Sequence, residues 1–473
     1  MTAVPQDSKQ LSNRALKRLR NKKSKENTRL EESSSQSHMD GSDLKIGIVG
    51  GGIAGFALAL ALQQKGIHST VFEKDGAFEE RAQGYGLTLQ QAGRAMKILG
   101  LEDIIIRNGV ASSSHFIFDE KGKLVLFWGN PSSESAEHWN PNRNCHIPRQ
   151  TLRKALLDAL DSSFVEVIWG FELQSVTQNS NEVIVKGISR NEEEYCFSFN
   201  VLIACDGIRS SIRNMALDIS SLNPLHFLQT FVMLGIFDNR QFPIFHERMI
   251  QISDGKARMF IMPFDQGRSM WQLSFGIGSE TEATTLSKSG PQSLKNEALA
   301  QCHSFENSIL RLIAETDVSL ITGYPVYDRD PPTLPLKYKI GINRITFCGD
   351  AIHCMSPFKG QGANQALLDA VELAECLHKS LANELPLSLR SFESKMVART
   401  TPKVLASRES IGLLHCKEFL DIQFQLTRRG FGQFDEFMAL METLRNEGLA
   451  MNSSTDELNL ACARYCAIHM NNK

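Results

Sequence analysis

Apolar positions along the chain follow two rhythms, solid runs of a few residues and alternations of apolar with polar, and the two are largely segregated. Lys45-Ile46-Gly47-Ile48-Val49 is a solid run that meets glycines. Helix formers follow from Phe56 to Gln64, and His68-Ser69-Thr70-Val71-Phe72-Glu73 is strand-like again. Strand, tight turn, helix, strand is the order of a βαβ unit in a parallel sheet. Val201-Leu202-Ile203-Ala204-Cys205 and Arg344-Ile345-Thr346-Phe347-Cys348 are further solid runs, as expected of strands buried on both faces, and Asp206-Gly207 and Gly349-Asp350 close them.

Between these runs the pattern is that of shorter strands. Phe116 to Asp119 and Leu124 to Trp128 flank Glu120-Lys121-Gly122-Lys123, which predicts a hairpin, and strands are expected over Phe164 to Trp169, Phe171 to Thr177, Asn181 to Ile188 and Glu194 to Phe199. From about Phe227 to Gly278 the composition shifts to Phe and Met. Phe231 to Phe237, Met249 to Ser253, Ala257 to Pro263 and Met270 to Phe275 predict an antiparallel sheet, two strands of which are joined by Ser253-Asp254-Gly255-Lys256. Helices are expected over Gln91 to Leu99, Arg149 to Leu160 behind Pro148, and Gln365 to Leu377. The stretches Pro386 to Ser410 and Phe419 to Leu449 read as mostly helical.

The expected organisation is a basic, disordered tail over 1–43, a nucleotide domain over 44–220 with β-rich excursions, a substrate domain over 221–325, the returning part of the nucleotide domain over 326–380, and a helical region over 381–473. With 473 residues the chain can bury a large core without disulfides or a metal. A net charge of −2 gives the core no reason to bind nucleic acid. The tail differs: eight Lys or Arg lie between Arg14 and Arg29, which leaves organellar or nuclear targeting open beside a cytoplasmic location. No run of 18 apolar residues predicts a membrane span, and the ten cysteines show no C-x-x-C.

The chemistry concentrates at the strand ends. Gly50-Gly51-Gly52-Ile53-Ala54-Gly55 is a G-x-G-x-x-G turn between strand and helix, where backbone N–H groups can face a pyrophosphate. Gly50 permits the turn, Gly52 the close approach, and Gly55 the packing of helix on strand. Glu73, 23 residues after Gly50, stands where an acid accepts hydrogen bonds from an adenosine ribose. In the stretch Gly349 to Asn364, Asp350 can accept from polyol hydroxyls, and N–H groups near Gly362, Ala363 and Asn364 can face negative charge on a ring. That pair of features suits FAD better than a nicotinamide.

These residues carry a resemblance. Gly50 to Gly55, Cys205-Asp206-Gly207-Ile208-Arg209-Ser210-Ser211-Ile212-Arg213, and Gly349 to Asn364 resemble the single-component FAD-dependent aromatic hydroxylases, the group of para-hydroxybenzoate hydroxylase, over about Leu44 to Leu377. The resemblance implies an α/β fold with a Rossmann-like FAD-binding domain, an inserted antiparallel-sheet substrate domain and C-terminal helices. It implies that Glu73 binds the adenosine ribose, Arg81 the pyrophosphate, and that Arg149 opens the helix crossing the cofactor. Asp206 and Gly207 would serve FAD and reduced nicotinamide, Asp350 the ribityl or pyrophosphate region, and Pro357 would lie beside the ring whose edge Gly360, Gly362, Ala363 and Asn364 line. For His353 packing or hydrogen bonding near the cofactor is expected in place of base catalysis. No second G-x-G-x-x-G follows a predicted strand, so NADPH or NADH is expected to bind only transiently.

The implied activity is a monooxygenase that uses NAD(P)H and O₂ to hydroxylate or epoxidise a small, largely apolar or aromatic substrate through a flavin C4a-hydroperoxide. Such chemistry needs an apolar, water-excluding enclosure more than a strong acid or base. Met233, Phe260, Met262 and Phe275 are the expected lining, with Phe358 and Pro357 from the flavin side, and no metal is called for. An oxidase, an isoprenoid reductase and a flavin-binding interaction protein without turnover are the alternatives. Monomer and homodimer are not separated by the sequence.

Overall fold

A computed structural model of the chain describes residues 44–80, 84–90, 92–112, 114–129, 144–339, 344–380, 384–429 and 434–470, and every structural statement below concerns these. The tail over 1–43 and Arg81 lie outside them.

The solid apolar runs assemble into one five-stranded parallel sheet in the order Ile345–Phe347, Val201–Ala204, Ile46–Val49, Ser69–Glu73, Val165–Trp169. Its middle strand is buried throughout because the helices Ile53–Gln63 and Gly362–Lys379 pack against each other and the sheet beneath them. The opposite face is covered by an antiparallel sheet of Phe171–Gln178, Val183–Ser189 and Glu194–Phe199, whose Phe171, Phe197 and Phe199 rings surround Phe72 at 4.5, 5.0 and 5.8 Å. Two of the parallel strands arrive early in the chain and three after excursions, so the sheet closes only when residue 347 meets residue 204.

The second body is a seven-stranded sheet in the order Ile321–Asp328, His226–Asp238, Arg268–Gly276, Arg258–Asp265, Arg248–Ser253, Ser114–Asp119, Leu124–Gly129. It takes in the hairpin of residues 114–129, which pairs in parallel with Arg248–Ser253, and extends through Asp328. The sheet is therefore not confined to 221–325. One of its faces carries Phe231, Met233, Met259, Trp271, Leu273 and Phe275 and is covered by the helices Glu280–Lys288, Pro291–Gln301 and Asn307–Glu315 together with C-terminal helices. The other face carries Val232, Leu234, Ile236, Met262 and Met270 and looks toward the nucleotide domain.

Contacts across that gap fix how the two bodies sit. Gly86 N donates to Met270 Sδ at 3.2 Å, and the Thr88 hydroxyl reaches Met262 Sδ at 3.7 Å. On the far side the 30-residue helix Leu385–Leu414, with Pro386 in its first turn and Pro402 inside, runs behind the Pro357–Lys359 turn, where Ser356 Oγ donates to the Ser407 carbonyl at 2.7 Å.

Candidate flavin-binding cleft

The glycine turn has the geometry its three positions require. Gly50 adopts φ +110°, and a Cβ there would stand 2.3 Å from the Cys205 carbonyl oxygen; a Cβ on Gly55 would stand 1.9 Å from that of Gly50. Around Gly52 a Cβ would meet nothing within 4 Å, so the backbone borders open space. The helix beginning at Ile53 has no side-chain cap, and its first-turn N–H groups are directed toward that space.

Glu73 ends the second strand 3 % exposed, where its carboxylate accepts from Gly51 N at 2.8 Å and Asp75 N at 3.0 Å. Beside it lies a residue the sequence reading missed. Arg153 is 1 % exposed, donates from Nε to the Gly51 carbonyl at 2.7 Å and from Nη1 to the Phe78 carbonyl at 3.3 Å, and lies 3.9 Å from the Glu73 carboxylate. Phe56, Phe78 and Trp169 enclose its guanidinium, so the carboxylate and the glycine turn share one buried cation. The available signal was spacing: Arg153 stands one helical turn after Arg149.

At the other end, the strand Ile345–Phe347 delivers Gly349 at φ +62° and the helical turn Asp350–His353. Asp350 keeps accessible surface although protein atoms crowd it on most sides, the condition of a group on the floor of a concavity. Desolvation raises its pKa against the pull of His353 and Arg149, with Asp369 adding to the rise. The start of the helix Gly362–Lys379 is close by: a Cβ on Gly362 would stand 3.6 Å from Asp350 Oδ1.

His353 points away from this opening. It is 2 % exposed, and its Nε2 pairs with Asp369 Oδ2 at 2.6 Å, an oxygen that also accepts from Gly349 N at 2.8 Å. Arg399 donates to Asp369 Oδ1 at 2.7 Å. Burial opposes the charged imidazole, but the Asp369 carboxylate prevails and the His353 pKa is raised; burial opposes ionised Asp369 as well, and His353 with Arg399 holds its pKa down. The pair braces the turn that presents Asp350.

Asn364 is wholly consumed by the protein. Its Oδ1 accepts from Gln90 N at 2.8 Å and Ala92 N at 3.1 Å, and its Nδ2 donates to the carbonyls of Thr88 at 2.9 Å and Gly360 at 2.8 Å. The side chain thus staples the loop before Ala92 to the helix. Only backbone N–H groups near Gly362 and Ala363 remain for a ligand. Gly360 takes the left-handed conformation, φ +61°, and ends the turn begun by Pro357.

Arg149 begins its helix, stacks over Tyr85 at 5.5 Å, and leaves a buried Nη1 without a hydrogen bond. Asp206 accepts from Ile212 N at 3.2 Å and the Ser211 hydroxyl at 3.3 Å through Oδ2, while Oδ1 is buried without a partner; burial raises its pKa. Gly207, at φ +81°, borders open space. Open donors and acceptors therefore gather at the carboxyl ends of the parallel strands, with a helix N-terminus at each end of the row, where ligands bind α/β sheets. FAD fits this set: an anionic diphosphate for the Gly52 turn, ribityl hydroxyls for the carboxylates, and a ring edge for the Gly362 helix.

The expected substrate lining divides in two. Phe260 and Met262 lie on the sheet face toward the cleft, and Phe358 packs where both apolar clusters meet. Met233 and Phe275 do not belong with them. They point into the helix-covered face, 0 % and 4 % exposed, because side chains alternate along a strand and register puts their neighbours Val232 and Ser274 on the cleft side. Among the described residues no cluster of His, Cys, Asp and Glu has the makings of a metal site, and no described helix is long and apolar enough to cross a membrane.

Comparison with known proteins agrees with this geometry. The chain is 26 % identical over 402 residues to Monooxygenase 1 of Arabidopsis thaliana, covering 84 % of this chain and 94 % of that one. It is 28 % identical over 385 residues to the phenazine 1,6-dicarboxylic acid hydroxylase PhzS of Lysobacter antibioticus, covering 76 % and 88 %. In fold it is similar to Klebsiella pneumoniae HpxO, solved with FAD and uric acid, at a TM-score of 0.67 and 20 % identity over 90 % of this chain and 98 % of that one. The family described as FAD binding domain matches residues 43–318 and 331–398, most of the chain. The protein belongs to that family, within the superfamily of single-component FAD-dependent hydroxylases and monooxygenases.

Proposed function

We propose that the protein uses NADPH or NADH and O₂ to hydroxylate or epoxidise a small, largely apolar or aromatic substrate at its FAD. The observation that carries this reading is the apolar sheet face, Leu234, Ile236, Met262 and Met270, packed toward the Gly84–Thr88 segment and toward Phe358 in the loop after Asp350. When bound, the flavin supplies the electron transfer and the activation of dioxygen.

The chain's own residues bind, orient and exclude water. The Gly52 turn and the first N–H groups of Ile53–Gln63 hold the diphosphate, and Glu73, fixed by Gly51 N and Arg153, takes the ribose hydroxyls. Asp350 and the free oxygen of Asp206 accept from the polyol chain. N–H groups at Gly362 and Ala363 stabilise negative charge on the ring edge. Phe260, Met262 and Phe358 keep water from the reacting centre and hold the substrate against the ring. Positive charge for the nicotinamide nucleotide comes from the region of the Asp206-Gly207 turn. Arg209 lies there over Tyr327.

The hydroxylase and monooxygenase names of the relatives are consistent with ring oxidation. The test is oxygen consumption by the FAD-loaded protein with NADPH or NADH, run with H₂O₂ detection across phenols, quinolones and polyenes. A compound that raises oxygen uptake without matching H₂O₂, and gains one oxygen atom, is the expected result. Stoichiometric H₂O₂ with every compound indicates an oxidase, product formed without oxygen a reductase, and a flavin that NAD(P)H never reduces a binding protein.

A further inference from the structure

We infer that Tyr324 and Gln272 form a neutral hydrogen-bonding pair that selects a flat apolar substrate carrying hydroxyl or carbonyl oxygens at two of its edges. This rests on the monooxygenase reading above and adds the substrate class.

The cleft-facing side of the seven-stranded sheet is apolar apart from a few groups, and most of these are already committed. Arg258 donates from Nε to Gln251 Oε1 at 2.7 Å, Gln251 Nε2 lies 2.5 Å from His115 Nε2, and His115 stacks on Trp128 with ring centroids 4.0 Å apart. Ser274 Oγ and His415 Nε2 are 2.8 Å apart, and the other His415 nitrogen is 2.7 Å from the Ile411 carbonyl. Tyr324 and Gln272 differ from these, since neither side chain hydrogen-bonds to the rest of the described protein.

Register places both on the same face. Tyr324 is the cross-strand partner of Val232, Gln272 that of Leu234, and Val232 and Leu234 both belong to the cleft-side cluster. The two residues flank the central strand His226–Asp238 on opposite sides, about 12 Å apart, two strand spacings across and two residues along. Tyr324 lies near Tyr85, the residue over which Arg149 stacks, so its hydroxyl stands beside the residues that border the flavin seat. Burial raises its pKa, with Tyr85 adding to the rise, and it is a hydrogen-bond donor at neutral pH. Unpaired polar groups in an apolar cavity penalise a ligand that lacks complementary atoms. Neither group is charged, and the two arginines of this face are committed, Arg258 to Gln251 and Arg268 to Asp265 at 2.9 Å, so the ligand class is hydroxylated or oxo-substituted aromatics in place of carboxylates.

The test uses the FAD-loaded protein with 2,6-dihydroxynaphthalene, 2-naphthol and naphthalene, binding being read from the flavin absorbance. Affinity is expected to fall by roughly tenfold for each oxygen removed. Tyr324→Phe and Gln272→Leu should each abolish one of these steps and leave naphthalene binding unchanged, with retained flavin certifying the fold. Variants that discriminate like the wild type overturn the pair, as does tighter binding of 6-hydroxy-2-naphthoate than of the diol, or no saturable binding of any probe. NAD(P)H-driven oxygen consumption is followed in the same samples. Its absence alongside intact discrimination counts against the monooxygenase reading alone, and lost discrimination with intact turnover counts against the pair alone.

Discussion

Gly52 borders open space that an anionic diphosphate can fill, so a side chain there competes with the ligand more than with the protein. Gly52→Asp is expected to abolish FAD retention by putting negative charge among the phosphates, with thermal unfolding of the ligand-free protein nearly unchanged. Asp350→Ala should weaken FAD binding by about tenfold, the equivalent of about 1.4 kcal/mol, in a fluorescence titration. Arg153 acts through both the glycine turn and Glu73. Removing a buried cation leaves its carboxylate uncompensated, so Arg153→Met should cost about 3 kcal/mol in urea unfolding and weaken FAD binding as well. Glu73 is legible from sequence because its distance from the turn is set by one helix and one strand. Arg153 is less so, since nothing in a helix pattern says that a cation at that position is buried.

Elements built from solid apolar runs or bounded by turn residues were readable, as the parallel strands and the 114–129 hairpin show. The helices between Glu280 and Glu315 were not predicted, although their start signals are present. Ser279 accepts from Glu282 N at 3.1 Å as an N-cap, Pro291 opens the next helix, and Glu306 caps the third. The split of the expected lining has another cause: alternation says that Met233 and Met262 each choose a face, but only strand register says which face is shared. Asn364 shows how one side chain fixes an element. Asn364→Ala removes four hydrogen bonds and orphans the N–H groups of Gln90 and Ala92, and should cost roughly 2–4 kcal/mol in urea unfolding while weakening FAD binding.

Across the whole molecule, the seven-stranded sheet meets a small sheet of Gly86–Leu89, Cys145–Pro148 and Val110–Ala111 through Gly86, Thr88, Met262 and Met270, and this junction also sets a pH dependence. His146, which sits 3.0 Å from the Thr88 hydroxyl, has its pKa lowered to about 3 by burial, and His415 is lowered to about 4, again chiefly by burial. The unfolded chain therefore protonates these residues first, near pH 6.5, and stability is lost as pH falls from there toward 4, by up to about 1.4 kcal/mol per pH unit for each. Asp206 and Asp350 act oppositely, because their raised pKa values cost stability that acidification restores. Comparing His146→Gln with the wild type isolates the histidine: urea midpoints from pH 7 to 4 should fall less steeply in the variant.

The proposed function requires a flavin whose diphosphate lies at the Gly52 turn and whose ring reaches the loop after Asp350. Calorimetric titration of ligand-free protein with FAD, beside Gly52→Asp, tests it directly. A single saturable site in the wild type, yellow after dialysis and missing from the variant, is the predicted result. Folded wild-type protein that takes up no FAD, or a variant that binds it equally well, would contradict a flavin seat at this turn.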